Sequence, residues 1–286
     1  YSIFALSIAS TTLTSCEDIF GGFLDKQPSN ELTGEQVFSD WNLTVQFHLD
    51  TYNFLRHGAG RISTTWLDAA ADLAETSYGN GVRTSFNIGN FYGGSGASEL
   101  VDTWEHYYRG IRKCNMLLTR IEEVPQNPAD SEDKYNRDKK NYIAEARFLR
   151  AYFYWELFLR YGPIPIVTEV LDPDGDLMSK YTIRPTTKEY VVDFILEELK
   201  SCEDDLLDYK TAWTSSSAGR IGQPMACALR SRIMLFMASP RYSSESGITW
   251  QQAANVAKEF IDNYGTNFAL FNDKDATGAT LGIENY

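Results

Sequence analysis

The sequence predicts an all-α fold, an array of helices with one long irregular loop set into it. Three observations carry that prediction. The first is YIAEARFLRAYFYWELFLRYGPIPIVT, from Tyr142 to Thr168. Phe148, Tyr152, Trp155 and Leu159 recur on one helical face and Leu149, Phe153 and Leu157 on another, so this helix is apolar nearly all round and belongs in a core. Ala144, Ala146 and Ala151 allow neighbours to approach closely, and Glu156 can pair with Arg160 one turn on. Gly162 and Pro163 stop the helix, Gly162 in a left-handed cap position, and Pro165 keeps Ile164 extended. The second observation is that three-four apolar spacing returns in most other segments. The third is a break in that period between Tyr78 and Gly96, where SYGNGVRTSFNIGNFYGGSG holds six Gly, three Asn and four aromatics.

Taken in order, IFALSIASTTL is an apolar to weakly polar run of signal-peptide length, too short to span a membrane. It ends in Leu13-Thr14-Ser15-Cys16, the pattern of a bacterial lipobox, in which small residues let the signal peptidase admit the chain beside a lipidated sulfur. Residues 1–15 therefore read as part of a lipoprotein signal peptide, Cys16 as the lipidation site, and 16–32 as a tether. The absence of Met and of a basic n-region at Tyr1 implies preceding residues in the precursor. Residues 33–286 read as one helical domain.

Thr33 with Gln36 forms a capping box for a first helix through Val37 and Phe38. Leu43 to Leu55 and the Ala-rich Trp66 to Leu73 read as core-facing helices. Leu100 to Glu123 carries Trp104, Tyr107, Tyr108, Ile111, Cys114, Leu118 and Ile121 as a stripe ended by Pro125. NPADSEDKYNRDKK reads as a charged, solvated connection, with Asp138 early in the first turn of the helix that follows. In LDPDGDLMSK, Asp172, Asp174 and Asp176 alternate as in the start of a calcium loop, but Ile183 stands where an EF-hand needs Glu, so this is a solvated turn. Thr186 or Thr187 caps Lys188 to Leu207, whose apolar face is Val191, Phe194, Ile195, Leu199, Cys202 and Leu206. Pro224 suits the first turn of Gln223 to Ser239, apolar through Leu229, Ile233, Leu235, Phe236 and Met237 and ended by Pro240. Trp250 to Tyr264 is the last helix, and polar NDKDATGATLGIENY closes the chain.

Composition excludes some functions. A net charge of -13 without clustered Lys and Arg argues against a nucleic-acid surface. The four cysteines, at 16, 114, 202 and 227, have no metal-ligand spacing. The three His, at 48, 57 and 106, lie in no HExxH or Ser-His-Asp context, and GxSxG, Walker A and GxGxxG are absent. No catalytic residue, metal site or cofactor is expected. What remains is the irregular loop, since long loops in compact domains are uncommon and often functional. Its aromatic plates, amides and guanidinium suit a sugar, with ring faces to pack and hydroxyls to pair. Tyr78, Asn80, Arg83, Phe91 and Tyr92 are the expected ligand contacts; the bland reading is that Phe86 and Phe91 pin the loop to the body.

Four stretches together resemble the SusD/RagB family of outer-membrane nutrient-binding lipoproteins of Bacteroidetes: LTSCEDIFGGFLDKQPSNELTGEQVF, AEARFLRAYFYWELFLRYGPIPIVTE, RPTTKEYVVDFILEELKSCEDDL and GRIGQPMACALRSRIMLFMASP. The resemblance implies a tetratricopeptide-like scaffold of helical pairs with long ligand-facing loops hung from one side, although no strict 34-residue repeat is visible. It implies a lipid-anchored protein on the outer face of the outer membrane, with Glu17-Asp18 resembling the surface-export signal. Its task would be to capture oligosaccharide and hand it to a SusC-like TonB-dependent transporter. WEHYYRGIRKCNMLL is structural in that family, and family members extend well beyond the length of this chain. Some relatives take peptides, so a peptide-binding member is the alternative, with a surface glycosidase or a purely structural surface protein behind it. Plates with amides favour sugar, since a peptide binder would more naturally present a strand edge.

Overall fold

The computed structural model describes residues 33–56, 61–62, 65–66, 73–74, 87–89, 98–172, 174–176, 181, 183–212, 217–268, 273–274 and 280–281. The fold is helical. Helix α1, Gly34–Phe38, opens with the expected capping box: the Thr33 hydroxyl accepts from Gln36 N–H at 3.3 Å and the Gln36 amide oxygen accepts from Thr33 N–H at 2.9 Å. Helix α2, Trp41–Asp50, is capped by Asp40 and runs into the 3-10 turn Thr51–Phe54. Phe38 and Trp41 are buried in a small cluster with Leu117, Ile121, Val124 and Ala146.

The expected helix from Trp66 does not form as read. Strand β1, Arg61–Ile62, pairs antiparallel with β2, Thr65–Trp66, so Trp66 closes a hairpin. The β-branched and aromatic run there outweighs the alanines that follow, and 67–72 lie outside the described residues.

Helices α3, Ser98–Arg120, and α4, Glu132–Tyr161, form the central antiparallel pair. Tyr107 stacks on Phe153 at 5.6 Å near one end, and Lys139 pairs with Glu122 at 2.9 Å near the other. α4 begins well before the sequence reading placed it. Ser131 accepts from Lys134 N–H, Glu132 and Asp133 occupy the positive first turn, and Lys134 bridges Asp130 and Asp138. The charged run is therefore helical, with Asp138 in its second turn, because capping and i,i+4 pairs hold it without apolar periodicity. At the far end Gly162 has φ 67° and ψ −158°, beyond the left-handed cap first expected and open essentially to Gly alone.

A π-helical stretch, Lys188–Leu196, continues into α5, Glu197–Cys202, and ends in the 3-10 turn Glu203–Asp205. Thr186 caps it: its hydroxyl accepts from Glu189 N–H, and the Glu189 carboxylate accepts from the Thr186 N–H at 2.8 Å. After the short α6, Tyr209–Ala212, helix α7, Gln223–Met237, pairs with α9, Trp250–Tyr264, across the one-turn α8, Ser243–Ser246. Leu235 on α7 faces water, against expectation. A two-residue ribbon, β3 Asp273–Lys274 with β4 Thr280–Leu281, lies in the polar end of the chain.

The core is aromatic. Phe158 stacks between Trp155 and Tyr190, and Phe236 meets Trp155 edge-on at 5.5 Å. Ala144, Ala146 and Ala151 are buried, as expected of close approaches. Burial pushes the thiols of Cys114 and Cys202 up to about 12, so both stay protonated and unreactive. Leu159 departs from the reading: it is 40% exposed, one turn past the Trp155 contact with α7. Trp155→Ala should therefore destabilise the protein by roughly 3–5 kcal/mol in denaturant unfolding, whereas Leu159→Ala should fall short of the roughly 2–5 kcal/mol of a buried Leu.

α3 and α4 approach tightly at Gly110, where an added Cβ would stand 2.8 Å from Phe153 Cε2 and 3.2 Å from Phe54 Cβ. Alanine normally strengthens a helix interior by roughly 0.5–1 kcal/mol over Gly. Here overpacking should reverse the sign. Gly110→Ala is expected to lower stability by about 1–3 kcal/mol and to leave helical circular dichroism in native buffer unchanged.

Candidate functional site

The residues expected to contact ligand, Tyr78, Asn80, Arg83, Phe91 and Tyr92, lie outside the described residues, as does Cys16. Of that loop only 87–89 are described, a turn in which Gly89 takes φ 71°. The loop precedes α3 in the chain, and a recess of about 360 Å³ opens beside the middle turns of that helix. Its volume falls within the range of small-molecule sites.

One wall is α3, which contributes Trp104, Glu105, Tyr108, Arg109 and Arg112; the other is the extended exit of α4, with Val167, Glu169 and Leu171. Trp104 is 39% exposed, its indole edge-on to Tyr161 at 5.3 Å and tilted against Tyr108 at 4.9 Å. Two aromatic neighbours thus hold a plate whose remaining surface faces the recess. Burial raises the Tyr108 hydroxyl well above its ordinary value, so it stays a neutral donor, and it donates to the Pro165 carbonyl at 2.8 Å.

The extended wall has no strand neighbour among the described residues, and side chains satisfy its carbonyls instead. Tyr108, Arg112 and Asn115 lie along one stripe of α3. Arg112 donates to Leu171 O at 3.2 Å, and Asn115 Nδ2 donates to Val167 O and Glu169 O, each at 3.0 Å. From α4, the Tyr154 hydroxyl donates to Val167 O and accepts from Val167 N–H. Asn115 is itself fixed by buried Arg150, whose Nη1 donates to its Oδ1 at 2.8 Å while Nε and Nη2 bind Glu198.

Sequence reading assigned Trp104 to the core stripe and left Arg109 and Arg112 unremarked. The period supports Tyr107, Ile111 and Cys114, which are buried, but Trp104 opens the stripe at an end with less cover. Its one legible signal is the polar company of Glu105, Arg109 and Arg112 around a Trp.

A second cluster, Glu203, Cys227 and Glu259, brings its ligand atoms within 4.8 Å of one another. It does not suit a metal. Arg230 lies between the carboxylates, 2.6 Å from Glu203 and 3.2 Å from Glu259, while the Tyr264 hydroxyl donates to Glu203 and Lys200 to Glu259. Burial raises the Cys227 thiol to about 11, which keeps it protonated.

Removing Asn115 would leave Arg150 Nη1 and two wall carbonyls without these partners. Asn115→Ala is expected to cost about 1–3 kcal/mol in chemical denaturation. It should also weaken any ligand of the recess, read by calorimetry on the folded variant.

A family model described as "Starch-binding associating with outer membrane" matches residues 22–235. A SusD-like protein of Formosa agariphila is 24% identical over 218 residues, which are 74% of this chain and 39% of that protein. Among solved structures, a SusD superfamily protein from Parabacteroides distasonis is similar at a TM-score of 0.60 and 22% identity, covering 85% of this chain and 47% of that one. A laminarin-binding SusD-like protein is similar at 0.58 and 20% identity, with the same two coverages. This chain spans about two fifths of the length of the curated relative. With a match over 22–235 and a shared helical, tetratricopeptide-like fold, the chain belongs to the SusD-like family.

Proposed function

We propose that this protein is a cell-surface lipoprotein, anchored to the outer membrane through Cys16, that captures an oligosaccharide without catalysis and delivers it to a SusC-like TonB-dependent transporter. The observation that carries the carbohydrate reading is the Trp104 recess: an exposed indole held at a fixed angle beside hydroxyl, guanidinium and carboxylate groups, in a chain of this family. A pyranose packs its C–H face on such a plate and pairs its hydroxyls with the rim. The loop bearing Tyr78, Asn80, Arg83, Phe91 and Tyr92 precedes α3, which begins at Ser98, six residues before Trp104, so it would supply further contacts to the same ligand.

A glycan array should identify the ligand class, and calorimetry with the best glycan should test the site. Stacking on one plate is worth on the order of 1 kcal/mol, so Trp104→Ala should weaken binding by up to about tenfold, and Phe91→Ala with Tyr92→Ala by more. Wild-type affinity in all folded variants would place the site elsewhere. Cys16→Ala should move the protein from the membrane fraction to the soluble fraction, because one or more acyl chains are then lost.

A further inference from the structure

We propose that the Trp104 recess is built for an anionic sugar, one carrying a carboxylate or a sulfate on its ring. This rests on the carbohydrate reading and adds the class of glycan to it. The chain has a net charge of -13, yet two guanidinium groups line this one shelf. Arg109 and Arg112 line it one turn apart on α3. Arg184 is close enough to the Tyr108 hydroxyl to favour its ionised form, against the larger effect of burial.

Arg112 uses Nη1 for the Leu171 carbonyl and has no carboxylate partner among the described residues, so the rest of its planar fork of donors is left for a ligand. The two carboxylates of the recess are already engaged. Glu169 accepts from the Tyr181 hydroxyl, and Glu105 pairs with Arg109 at 3.7 Å, both side chains being mostly exposed. An exposed pair of that length holds weakly, so Arg109 can exchange Glu105 for a ligand anion in a shorter, bidentate contact. A uronate or a sulfate ester projects its charge from the ring edge while the ring face packs on the indole. That is the arrangement of a plate bordered by arginines.

Calorimetry on the full chain with three oligosaccharides of equal length tests this: an oligogalacturonate, a sulfated galactan fragment and a neutral laminari-oligosaccharide. At least one acidic ligand should bind ~10-fold or more tightly than the neutral one. Its affinity should fall several-fold between about 0.05 M and about 0.5 M salt. Arg112→Ala should remove most of the preference and Arg112→Lys part of it, with circular dichroism showing both variants folded. Whichever acidic ligand binds better identifies the anion. Equal affinity for the neutral ligand, or acidic binding unchanged in Arg112→Ala, would overturn the anionic assignment and leave the carbohydrate reading standing. No binding to these three or to any sugar on the array would remove both.

Discussion

An ionised side chain taken out of water costs several kcal/mol unless it is paired and hydrogen-bonded, and α4 carries two of them in its middle turns. Glu145 is 0% exposed and Arg150 6%. Each draws partners from different parts of the chain. Glu145 takes His48 from α2 at 2.7 Å and Arg220 from the segment before α7 at 2.6 Å, the second as an ion pair without hydrogen-bond alignment. Arg150 takes Glu198 from α5 at 2.6 Å and Asn115 from α3 at 2.8 Å. Apolar packing alone would tolerate some sliding of these helices past α4. Two buried charges with directed partners do not, since a shift of one turn would strand an ion.

The consequence reaches the surface through Asn115. Its carboxamide is shared, the oxygen with Arg150 and the nitrogen with two carbonyls of the extended segment after α4. That segment has little of its own to hold it. Gly162, Pro163 and Pro165 shape its departure, while Ile164 and Val167 bury their side chains. Its carbonyls find donors on α3 and α4 rather than on a neighbouring strand. Each such bond contributes only about 0.5–1.5 kcal/mol, but together they fix the wall at a set distance from α3. The gap between them is the recess.

Much of this was legible in the sequence, and what was not has physical reasons. The capping box at Thr33 and the Gly-Pro stop after Tyr161 are local devices, completed within four residues, and pattern reading finds such devices. The start of α4 was missed because it is held by a serine cap and lysine bridges, which leave no apolar period. Trp66 was misread because its local preference is strand and the helix depended on the alanines after it. The exposure of Leu159 and of Trp104 depends on where a neighbouring element ends, a tertiary fact that spacing does not contain. The Glu145 and Arg150 partners lie 97 and 35 residues away along the chain for His48 and Asn115, and nothing local marks them. The loop read as ligand-facing lies almost wholly outside the described residues.

The division of labour along α3 explains how one helix can serve both core and site. Tyr107, Ile111 and Cys114 turn into the interior, where they meet α4. Trp104 and Tyr108, also four residues apart but on an adjoining stripe, turn toward the recess. A rigid helix thereby sets the angle of the Trp104 plate, which would give up little freedom to the ligand proposed for it. Tyr108 and Tyr161, one from each helix of the α3–α4 pair, bear on the plate from two sides. Core aromatics such as Trp155 are enclosed on every side, so their replacement acts on stability, whereas the exposed face of Trp104 is free of that duty and open to the ligand proposed for the recess.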